Sequence, residues 1–305
     1  MKKRILIAGC GDLGAAVGAL LVAQGHQVIG LRRSEVAVAQ GIDYLQADLT
    51  RSESLCEVPT NVDLVLVIVT PSERSEAGYR AIYLRGVANL LAHFSAHSSI
   101  HERPPAPVIY VSSTRVYGQR GGEWVDEDSV CEPADVCGRI LLAAEAQVMV
   151  HKGVNSSANN LVNNCGNSVV RFSGIYNRHS RFMQRLQGRP IQASPPLFTN
   201  RVHREDCVGS LLFLANKALA GEPLSALYLV SDNEPAPKWD VVAWLAQKAN
   251  LPAPTKAPDA SDAGQGKRCD NRRIREAGYV FKYPSYREGY QYDSRNDDRN
   301  TAREG

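Results

Sequence analysis

The stretch ILIAGCGDLG, residues 5–14, constrains the fold of this 305-residue chain more than any other. A short apolar run comes first, then Gly9, Gly11 and Gly14, then a helical pattern of apolar residues that ends at Gly25. The run predicts a buried strand, and the spacing after it predicts an amphipathic helix. A strand, a G-x-G-x-x-G turn and a helix in this order are typical of the first βαβ unit of a parallel sheet.

Each glycine of the motif has its own expected role. Gly9 allows a tight turn, Gly11 lets a pyrophosphate approach the backbone, and Gly14 lets the helix pack on the strand. The helix N-terminus would then face phosphate. The loop therefore predicts a dinucleotide site that also includes Asp12 and Leu13, and we favour this over a glycine-rich turn without a ligand.

The end of the second predicted strand, HQVIGLRRS, indicates which dinucleotide is preferred. This position commonly holds an acidic residue that binds the adenosine ribose, and a carboxylate there would repel a 2′-phosphate. Here Arg32 and Arg33 stand instead, and a guanidinium can bind phosphate through two parallel hydrogen bonds. The sequence thus predicts NADP(H) in preference to NAD(H). Two solvated loop arginines are the alternative.

Three more residues are assigned to the cofactor site. Asp48 and Leu49 lie in LQADLT (45–50), which is interpreted as the end of a further strand between those at 28–31 and 64–69, and Thr70 follows the strand predicted at 64–69. Asp48 either contacts the cofactor near its adenine or is an ordinary turn carboxylate, and spacing alone does not separate the two.

Strands and helices alternate along the first half of the chain, which predicts an α/β fold with a doubly wound parallel sheet, the Rossmann arrangement. An Asn-rich polar break follows at 152–168, and 252–266 is predicted from its composition to be a flexible linker. The strands are predicted at 5–8, 28–31, 64–69, 108–111, 169–176 and 226–231, and the later helices at about 208–214, 239–249 and 271–277.

Composition narrows the functional class. Hydrophobic residues make up 44% of the chain, charged residues 22%, and the formal net charge is +3. This charge is too small to predict nucleic acid or an anionic membrane as a partner, and no apolar run approaches the roughly 18 residues of a membrane span. The seven cysteines are scattered, without a Cys-x-x-Cys pair or zinc-ligand spacing, so we expect no metal site and a reducing cytoplasm.

Four further segments follow the glycine loop in order: VIYVSSTRVYG (108–118), VRFSGIYN (170–177), NRVHREDCVGSLLFLAN (200–216) and YPSYREGY (283–290). Together with the loop they resemble the extended short-chain dehydrogenase/reductase superfamily, in particular its NAD-dependent epimerase/dehydratase group, over roughly residues 4–290. The closest resemblance is to an atypical branch that lacks the catalytic tyrosine. One departure is Ala8, where the family commonly has the first glycine of G-x-x-G-x-x-G.

This resemblance implies a domain organisation. Residues 1–178 would form the Rossmann domain, and residues 179–290 a smaller C-terminal substrate lobe whose elements at about 200–231 return to the Rossmann sheet. Residues 291–305, almost without apolar side chains, are predicted to be disordered. Helices at 78–94 and 136–150 resemble a pair that forms a four-helix dimer interface in the family, which implies a homodimer.

The family's catalytic residues are only partly present. Ser113 matches the catalytic Ser/Thr, with Thr114 beside it, and in the family this hydroxyl binds a substrate oxygen at the nicotinamide; a strand-end serine is the alternative. The family's Tyr-x-x-x-Lys falls on Cys137 and Leu141. Leu141 cannot transfer a proton, and a small packed thiol is the favoured interpretation of Cys137. Tyr117 is the best substitute, with an aromatic residue packed under the loop as the alternative.

The candidate substrate-binding residues are Arg115, Arg178 and His203. The two arginines could bind an anionic group such as a diphosphate, or they could form a solvated face. His203 titrates in a range that suits acid–base chemistry, and a structural histidine beside a helix-capping Asp206 is the alternative.

Two functional hypotheses follow from these residues. The first is an atypical NAD(P)-dependent oxidoreductase or epimerase that acts on a hydroxyl or carbonyl substrate, with a nucleotide sugar as one candidate. The second is a non-catalytic NADP(H)-binding protein whose nucleotide state controls a partner. Fold alone does not fix function. We favour the first hypothesis because hydride chemistry belongs largely to the cofactor.

Overall fold

The computed structural model describes residues 1–34, 40–98, 106–151, 166–177, 189–259 and 263–290. A seven-stranded sheet lies at its centre, and every neighbouring pair of strands in it is parallel. The strands of the protein are β1 (Arg4–Ala8), β2 (Gln27–Arg32), β3 (Ile42–Gln46), β4 (Leu64–Val67), β5 (Val108–Ser113), β6 (Gly121–Val125), β7 (Ser168–Phe172), β8 (Gly174–Tyr176), β9 (Phe198–Thr199), β10 (Arg201–His203), β11 (Leu227–Val230), β12 (Ala236–Pro237) and β13 (Gly266–Cys269).

Helices cover both faces of this sheet. One face packs on α3 (Val87–Ser98) and α4 (Val136–Val150), and the other packs on α1 (Asp12–Ala23) and α5 (Arg204–Leu219). Residues 5–8 of β1 are all apolar and point alternately to the two faces, so each face is covered. A π-helical segment, Arg80–Gly86, joins the second and third helices without a break. The α-helices are α1 (Asp12–Ala23), α2 (Glu76–Tyr79), α3 (Val87–Ser98), α4 (Val136–Val150), α5 (Arg204–Leu219), α6 (Lys238–Lys248), α7 (Arg272–Glu276) and α8 (Tyr286–Gly289).

The strand order in the sheet is β11-β7-β5-β4-β1-β2-β3. The chain therefore runs from β1 outward to β3, then crosses back and continues from β4 toward the other edge. This confirms the prediction of an α/β, doubly wound parallel sheet. In such sheets ligands bind outside the carboxyl ends of the strands where the order reverses, which here is the edge beyond β1 and β4.

The described residues also form three two-stranded sheets, mostly from the C-terminal half of the chain. Strand β8 pairs with β10, β9 with β12, and β6 with β13, while β11 joins the central sheet beside β7. A separate apolar cluster joins β8 and β12 to α6 and α8; its buried members are Tyr176, Ala236, Val241, Leu245, Tyr286 and Tyr290. No helix among these described residues is long and apolar enough to cross a membrane.

Two predicted elements differ from the structure. The strand predicted at 169–176 is interrupted at Ser173, so its second part leaves the central sheet and pairs with β10. The segment predicted as a linker is partly structured, because Lys256 forms a bridge with Ile191 and Gly266 begins β13. Residues 152–165 of the predicted polar break and the predicted disordered tail, 291–305, lie outside the described residues.

Candidate functional site

A cavity of about 920 Å³ opens at the carboxyl ends of β1, β2 and β4. It lies where the strand order reverses, as expected for a ligand site in a sheet of this kind. Its lining comprises Gly9, Cys10, Gly11, Asp12, Leu13, Gly14, Leu31, Arg32, Arg33, Ser34, Ala47, Leu49, Ile68, Val69, Thr70, Ile82, Ile175, Tyr176, Asn177 and Arg204.

The three motif glycines occupy different environments. Gly9 has φ of +82°, and a Cβ on it would lie 2.3 Å from the carbonyl oxygen of Ile68. A Cβ on Gly14 would lie 2.9 Å from the carbonyl oxygen of Gly9. A Cβ on Gly11 would meet only that same oxygen, at 4.0 Å. Packing therefore requires glycine at the first and third positions, whereas Gly11 leaves room on the cavity side, where a ligand backbone contact would need it.

Two guanidinium groups line the cavity beyond the end of β2. Arg32 lies over the Tyr44 ring at 5.9 Å, and its Nε is buried without a hydrogen-bond partner among the described residues. Arg33 is exposed, and its backbone carbonyl accepts a hydrogen bond of 2.9 Å from Gln46. The end of β2 thus places two positively charged side chains at the cavity, and an anionic oxygen group suits both of them.

The other predicted cofactor residues fall into two groups. Leu49 and Thr70 line the cavity, but Asp48 does not. Its carboxylate accepts hydrogen bonds of 2.9 and 2.8 Å from the backbone N–H and hydroxyl of Thr50. Partial burial opposes ionisation, yet these two hydrogen bonds lower the pKa of Asp48. The structure therefore gives Asp48 the geometry of a turn carboxylate.

Arg204, the first residue of α5, also lines the cavity. Its Nε and Nη2 donate to the two carboxylate oxygens of Asp12 at 2.7 and 2.6 Å, and Nη2 also donates to the Asp12 carbonyl at 3.2 Å. The hydrogen bonds from Arg204 lower the pKa of Asp12. The ion pair joins the start of α1 to the start of α5 across the glycine loop.

On the opposite wall, β8 contributes Tyr176, which connects the cavity to a group of stacked aromatic rings. The His203 ring lies 5.2 Å from the Tyr176 ring and 3.9 Å from the Tyr283 ring, measured between centroids. Nδ1 of His203 accepts a hydrogen bond of 3.2 Å from the N–H of Glu205 and so caps α5. His203 is 3% exposed, does not line the cavity itself and has the contacts of a capping residue.

The family model for the NAD dependent epimerase/dehydratase family matches residues 5–190. The chain belongs to this family. The match includes the glycine loop, the arginines at the end of β2 and the segment around Ser113, so every cavity-lining residue except Arg204 lies in the part of the chain that the family model matches.

Known proteins extend the similarity to nearly the whole chain. Protein YeeZ of Escherichia coli K12 is 28% identical over 293 residues, covering 92% of this chain and 97% of YeeZ. A structure from Methylobacillus flagellatus, described by the family name NAD-dependent epimerase/dehydratase, is 32% identical, with a TM-score of 0.76 and coverage of 95% of this chain and 97% of that chain. MoeE5 in complex with UDP-glucose and NAD is 21% identical, with a TM-score of 0.70 and coverage of 94% and 96%. MoeE5 thus shares the fold.

In this family member, the residues predicted to be catalytic (Ser113, Thr114 and Tyr117) are not among the residues that line the cavity. Ser113 ends β5, is partly exposed, and accepts a hydrogen bond of 3.2 Å from the N–H of Arg115. Thr114 is buried next to Cys269, whose pKa burial raises to about 12. Cys137 is partly exposed in the first turn of α4, and Leu141, one turn later, is 3% exposed in the core.

Tyr117 belongs to a buried polar network. Its hydroxyl donates to the carbonyl of Asp126 at 2.6 Å and accepts from Nη1 of Arg171 at 2.7 Å. Arg171 in turn pairs with Glu145 of α4, which also accepts from Ser112 at 2.5 Å. Burial raises the pKa of Tyr117, so its proton stays on the hydroxyl. With 3% exposure, Tyr117 lies in the core under the loop, away from the cavity lining.

The two predicted substrate-binding arginines have different outcomes. Arg115 is exposed, and its Nε donates to both carboxylate oxygens of Asp135 at 3.0 and 3.1 Å. Its Nη1 also donates to the hydroxyl of Tyr79 at 3.3 Å. The guanidinium is therefore held at the N-terminus of α4, beside Cys137. Arg178 lies outside the described residues.

Eleven residues that line the cavity were not assigned from the sequence. Six lie within two residues of an assigned cofactor residue: Cys10, Leu31, Ser34, Ala47, Ile68 and Val69. The other five lie elsewhere in the chain: Ile82, Ile175, Tyr176, Asn177 and Arg204. Ile82 belongs to the π-helical segment. Ile175 and Tyr176 of β8, and Asn177 directly after it, follow the break at Ser173. Arg204 stands inside the VHRED segment, between His203 and Asp206, to which the sequence analysis gave roles. The positive charge of Arg204 within this segment could have indicated a ligand contact. Its partner Asp12, however, is 192 residues away in the chain, so the sequence does not connect the two.

Proposed function

We propose that the protein is an atypical NADP(H)-dependent oxidoreductase or epimerase that acts on a hydroxyl or carbonyl substrate of the nucleotide-sugar class. The observation that carries this proposal is the shared cavity of the glycine loop and the two arginines after β2. In an epimerase/dehydratase-family member, such a cavity is the expected dinucleotide site.

The donor set fits NADP(H) on structural grounds. Gly11 leaves space for a pyrophosphate at the N-terminus of the 12-residue helix α1, whose free N–H groups and dipole favour phosphate. The buried, unused Nε of Arg32 and the exposed charge of Arg33 favour a 2′-phosphate on the adenosine ribose. Leu49 and Thr70 complete the walls of the same cavity.

The bound nicotinamide would accept or donate a hydride at the substrate carbon. The chain's own residues would then orient the substrate oxygen, and we assign this role to Ser113, assisted by Thr114, at the carboxyl end of β5. Tyr117 is assigned a positioning role, because its hydroxyl already has two partners in the core. Arg115 and Arg178 are proposed to bind the phosphates of the substrate. His203, which is buried and caps α5, is proposed to act on the substrate side through Tyr176, whose ring it contacts.

The substrate class rests on the relatives and on charge. MoeE5, which shares the fold, has been solved with UDP-glucose and NAD. A nucleotide sugar carries both a hydroxyl that can be oxidised and a diphosphate that arginines can bind. We further propose that residues 1–178 bind the cofactor and that the lobe at 179–290 supplies the substrate side of the site. We also propose that the protein works in a reducing cytoplasm.

A homodimer is part of the same proposal. Helices α3 and α4 pack side by side and leave small apolar side chains exposed. On α4, Ala143, Ala146 and Val150 lie at helical spacing on one face, and Val150 is 73% exposed. Sedimentation of the wild type should give a dimer, and Ala146→Glu should shift it to the monomer. A wild-type monomer at micromolar concentration would remove this part of the proposal.

A second function is favoured by a specific observation. Leu141 is buried and Cys137 offers only a thiol where the family has its proton-transfer pair. A protein that binds NADP(H) without turning it over, and whose nucleotide state controls a partner, would tolerate these residues. A partner that binds the NADPH form and not the NADP⁺ form in a pull-down would support this alternative.

The experiment that tests the proposed function has two stages. Calorimetric titration with NADPH and NADH comes first, and tighter binding of NADPH is the expected result. Turnover is then measured with NADP⁺ and a panel of UDP- and dTDP-sugars, following the nicotinamide absorbance and product stereochemistry. Absence of nucleotide binding at millimolar concentration would contradict both candidate functions, whereas binding without turnover would favour the second.

A further inference from the structure

The ion pair between Asp12 and Arg204 places opposite charges at the site proposed for the pyrophosphate. Asp12 stands in the first turn of α1, next to Gly11, and its side chain is 73% exposed. A carboxylate there repels phosphate, although the helix N-terminus attracts it. The guanidinium of Arg204 neutralises that carboxylate through two short hydrogen bonds, and both residues line the cavity.

We propose that Arg204 is a pyrophosphate-binding residue, and that Asp12 holds its guanidinium until the dinucleotide displaces the carboxylate. This inference rests on the proposed function, since it concerns the same cavity. It goes further by assigning to the C-terminal half of the chain a direct contact with the cofactor.

The geometry of Arg204 supports an exchange of partners. A guanidinium offers parallel N–H donors that match a carboxylate and a phosphate equally well, so the two anions compete for one donor set. The Asp12 side chain is exposed enough to rotate away, while the Arg204 side chain is 28% exposed at the cavity wall. The lowered pKa of Asp12 keeps its carboxylate charged at neutral pH, which makes it a real competitor.

The backbone that carries Arg204 is fixed, so only its side chain has to move. His203 caps α5 directly before it. Asp206, two residues later and fully buried, accepts hydrogen bonds from the N–H groups of Lys282 and Tyr283 at 2.8 and 2.9 Å and from the hydroxyl of Tyr279 at 2.9 Å. This clamp holds the start of α5 against the C-terminal segment.

A pair that exchanges partners and a purely structural pair predict opposite effects of an Asp12 substitution on nucleotide affinity. If the pair only ties α1 to α5, removing either partner weakens nucleotide binding in the same direction. If Arg204 exchanges partners, loss of Arg204 weakens binding, whereas loss of the Asp12 charge strengthens it, because the competitor and the repulsion both disappear.

The experiment is calorimetric titration of the full chain with three ligands: NADP⁺, 2′-phospho-ADP-ribose and 2′-AMP. The first two contain the pyrophosphate, and the third retains only the 2′-phosphate end. The variants are Arg204→Met, Arg204→Lys and Asp12→Asn. Lys282→Met is the matched control, since Lys282 pairs with Glu205 at the start of the same helix but does not line the cavity.

We expect Arg204→Met to weaken both pyrophosphate ligands about tenfold or more, the value of one charge-assisted hydrogen bond, and to leave 2′-AMP unchanged. Arg204→Lys should recover part of the loss, and Asp12→Asn should bind NADP⁺ about two- to fivefold more tightly than the wild type. Lys282→Met should match the wild type. Retained 2′-AMP binding also shows that the variants are folded.

Two results would overturn this inference. One is equal NADP⁺ affinity of Arg204→Met and the wild type, and the other is weaker binding by Asp12→Asn. Either result is compatible with NADP⁺ binding by the wild type, so neither would contradict the proposed function. A wild type that binds none of the three ligands would instead remove the proposed function and this inference together.

Discussion

Glu145 of α4 and Arg171 of β7 form a buried ion pair with an Nη2–Oε2 distance of 2.6 Å, and both side chains are 6% exposed. Nε of Arg171 also donates to both carboxylate oxygens, so the contact is bidentate. Ser112 and Tyr117 complete the hydrogen bonds of the two charges. The pair therefore fixes α4 against the strands that carry the proposed catalytic segment.

Arg171→Met should lower the free energy of unfolding by about 3–5 kcal/mol, because Glu145 would remain as a buried and unpaired charge. Urea denaturation followed by circular dichroism measures this. The double variant Arg171→Met/Glu145→Leu should be more stable than Arg171→Met alone, since no charge is then stranded. Arg80→Met, which removes an exposed pair with Glu76, is the control and should change stability far less. A loss of under about 1 kcal/mol in Arg171→Met would contradict the role of the pair.

Arg32→Asp should weaken NADPH binding about 100-fold, because it removes two charge-assisted hydrogen bonds to the 2′-phosphate and adds repulsion. Binding of NADH, which lacks that phosphate, should be unchanged or tighter. Arg33→Asp should act in the same direction with a smaller effect, since Arg33 is exposed and its charge is more strongly screened.

The measurement for this prediction is a parallel titration of NADPH and NADH. Arg272→Asp reverses an exposed charge that does not line the cavity and serves as the control. If Arg32→Asp and the wild type discriminate equally between the two nucleotides, the arginines after β2 do not bind a 2′-phosphate.

Features that depend on neighbours in the chain were predictable from the sequence. The glycine loop is the best example, because the turn at Gly9 and the contact of Gly14 with the Gly9 carbonyl involve residues only five apart. The apolar runs of β1, β2 and β5 were predicted as strands with bounds that are within two residues of the observed ones. A strand of a parallel sheet is buried on both faces, so its sequence is a continuous apolar run that can be recognised directly.

Features that depend on distant residues were not predictable. The ion pair of Arg204 with Asp12 joins residues 192 positions apart, and β13 pairs with β6 across more than 140 residues. In neither case does the local sequence indicate which distant residue or strand is the partner. The break at Ser173 was also missed, because VRFSGIYN reads as one apolar run although Gly174 leaves the central sheet to pair with Arg201. Tertiary pairing, and not local propensity, decides where that strand ends.

Ser113→Ala should lower kcat about 100-fold and leave the Kd for NADPH unchanged, because the hydroxyl is proposed to act on the substrate oxygen and not on the cofactor. The structural contact that is lost, one hydrogen bond from the N–H of Arg115, is worth only about 1 kcal/mol. Steady-state turnover with the substrate from the screen, beside NADPH titration, measures both quantities. Ser113→Thr, which keeps the hydroxyl, should retain most of the activity. Full turnover in Ser113→Ala would contradict the catalytic role and leave Ser113 only the structural role of capping the end of β5.

Restoring the family's pair tests whether the substrate side of the site is intact. Cys137→Tyr/Leu141→Lys should raise turnover above that of the wild type, since the tyrosine regains proton transfer and the lysine lowers its pKa. Leu141 is 3% exposed, so the lysine must reach the cavity to avoid burial of its charge. Cys137→Phe/Leu141→Met has similar volume without the chemistry and is the control. Equal turnover in the two double variants would favour the non-catalytic function.

Asp232 should make the protein less stable as the pH rises toward 8. It is 1% exposed after β11, and burial raises its pKa to about 8, against the opposing effect of Arg201 and with smaller contributions from Glu234 and Asp206. Between its ordinary value of 3.8 and about 8, the unfolded chain has lost this proton while the folded chain keeps it. The folded state therefore binds more protons, and the free energy of unfolding falls with rising pH, by up to about 1.4 kcal/mol per unit from this group.

Chemical denaturation of the wild type and Asp232→Asn at intervals from pH 5 to pH 8 measures that slope. Asparagine is neutral at every pH, so the variant should lack this part of the slope and should gain stability relative to the wild type as the pH rises. The difference between the two proteins isolates Asp232 from all other titrating groups. Parallel stability curves would mean that Asp232 is ionised in the folded protein, with Arg201 supplying enough stabilisation to outweigh burial.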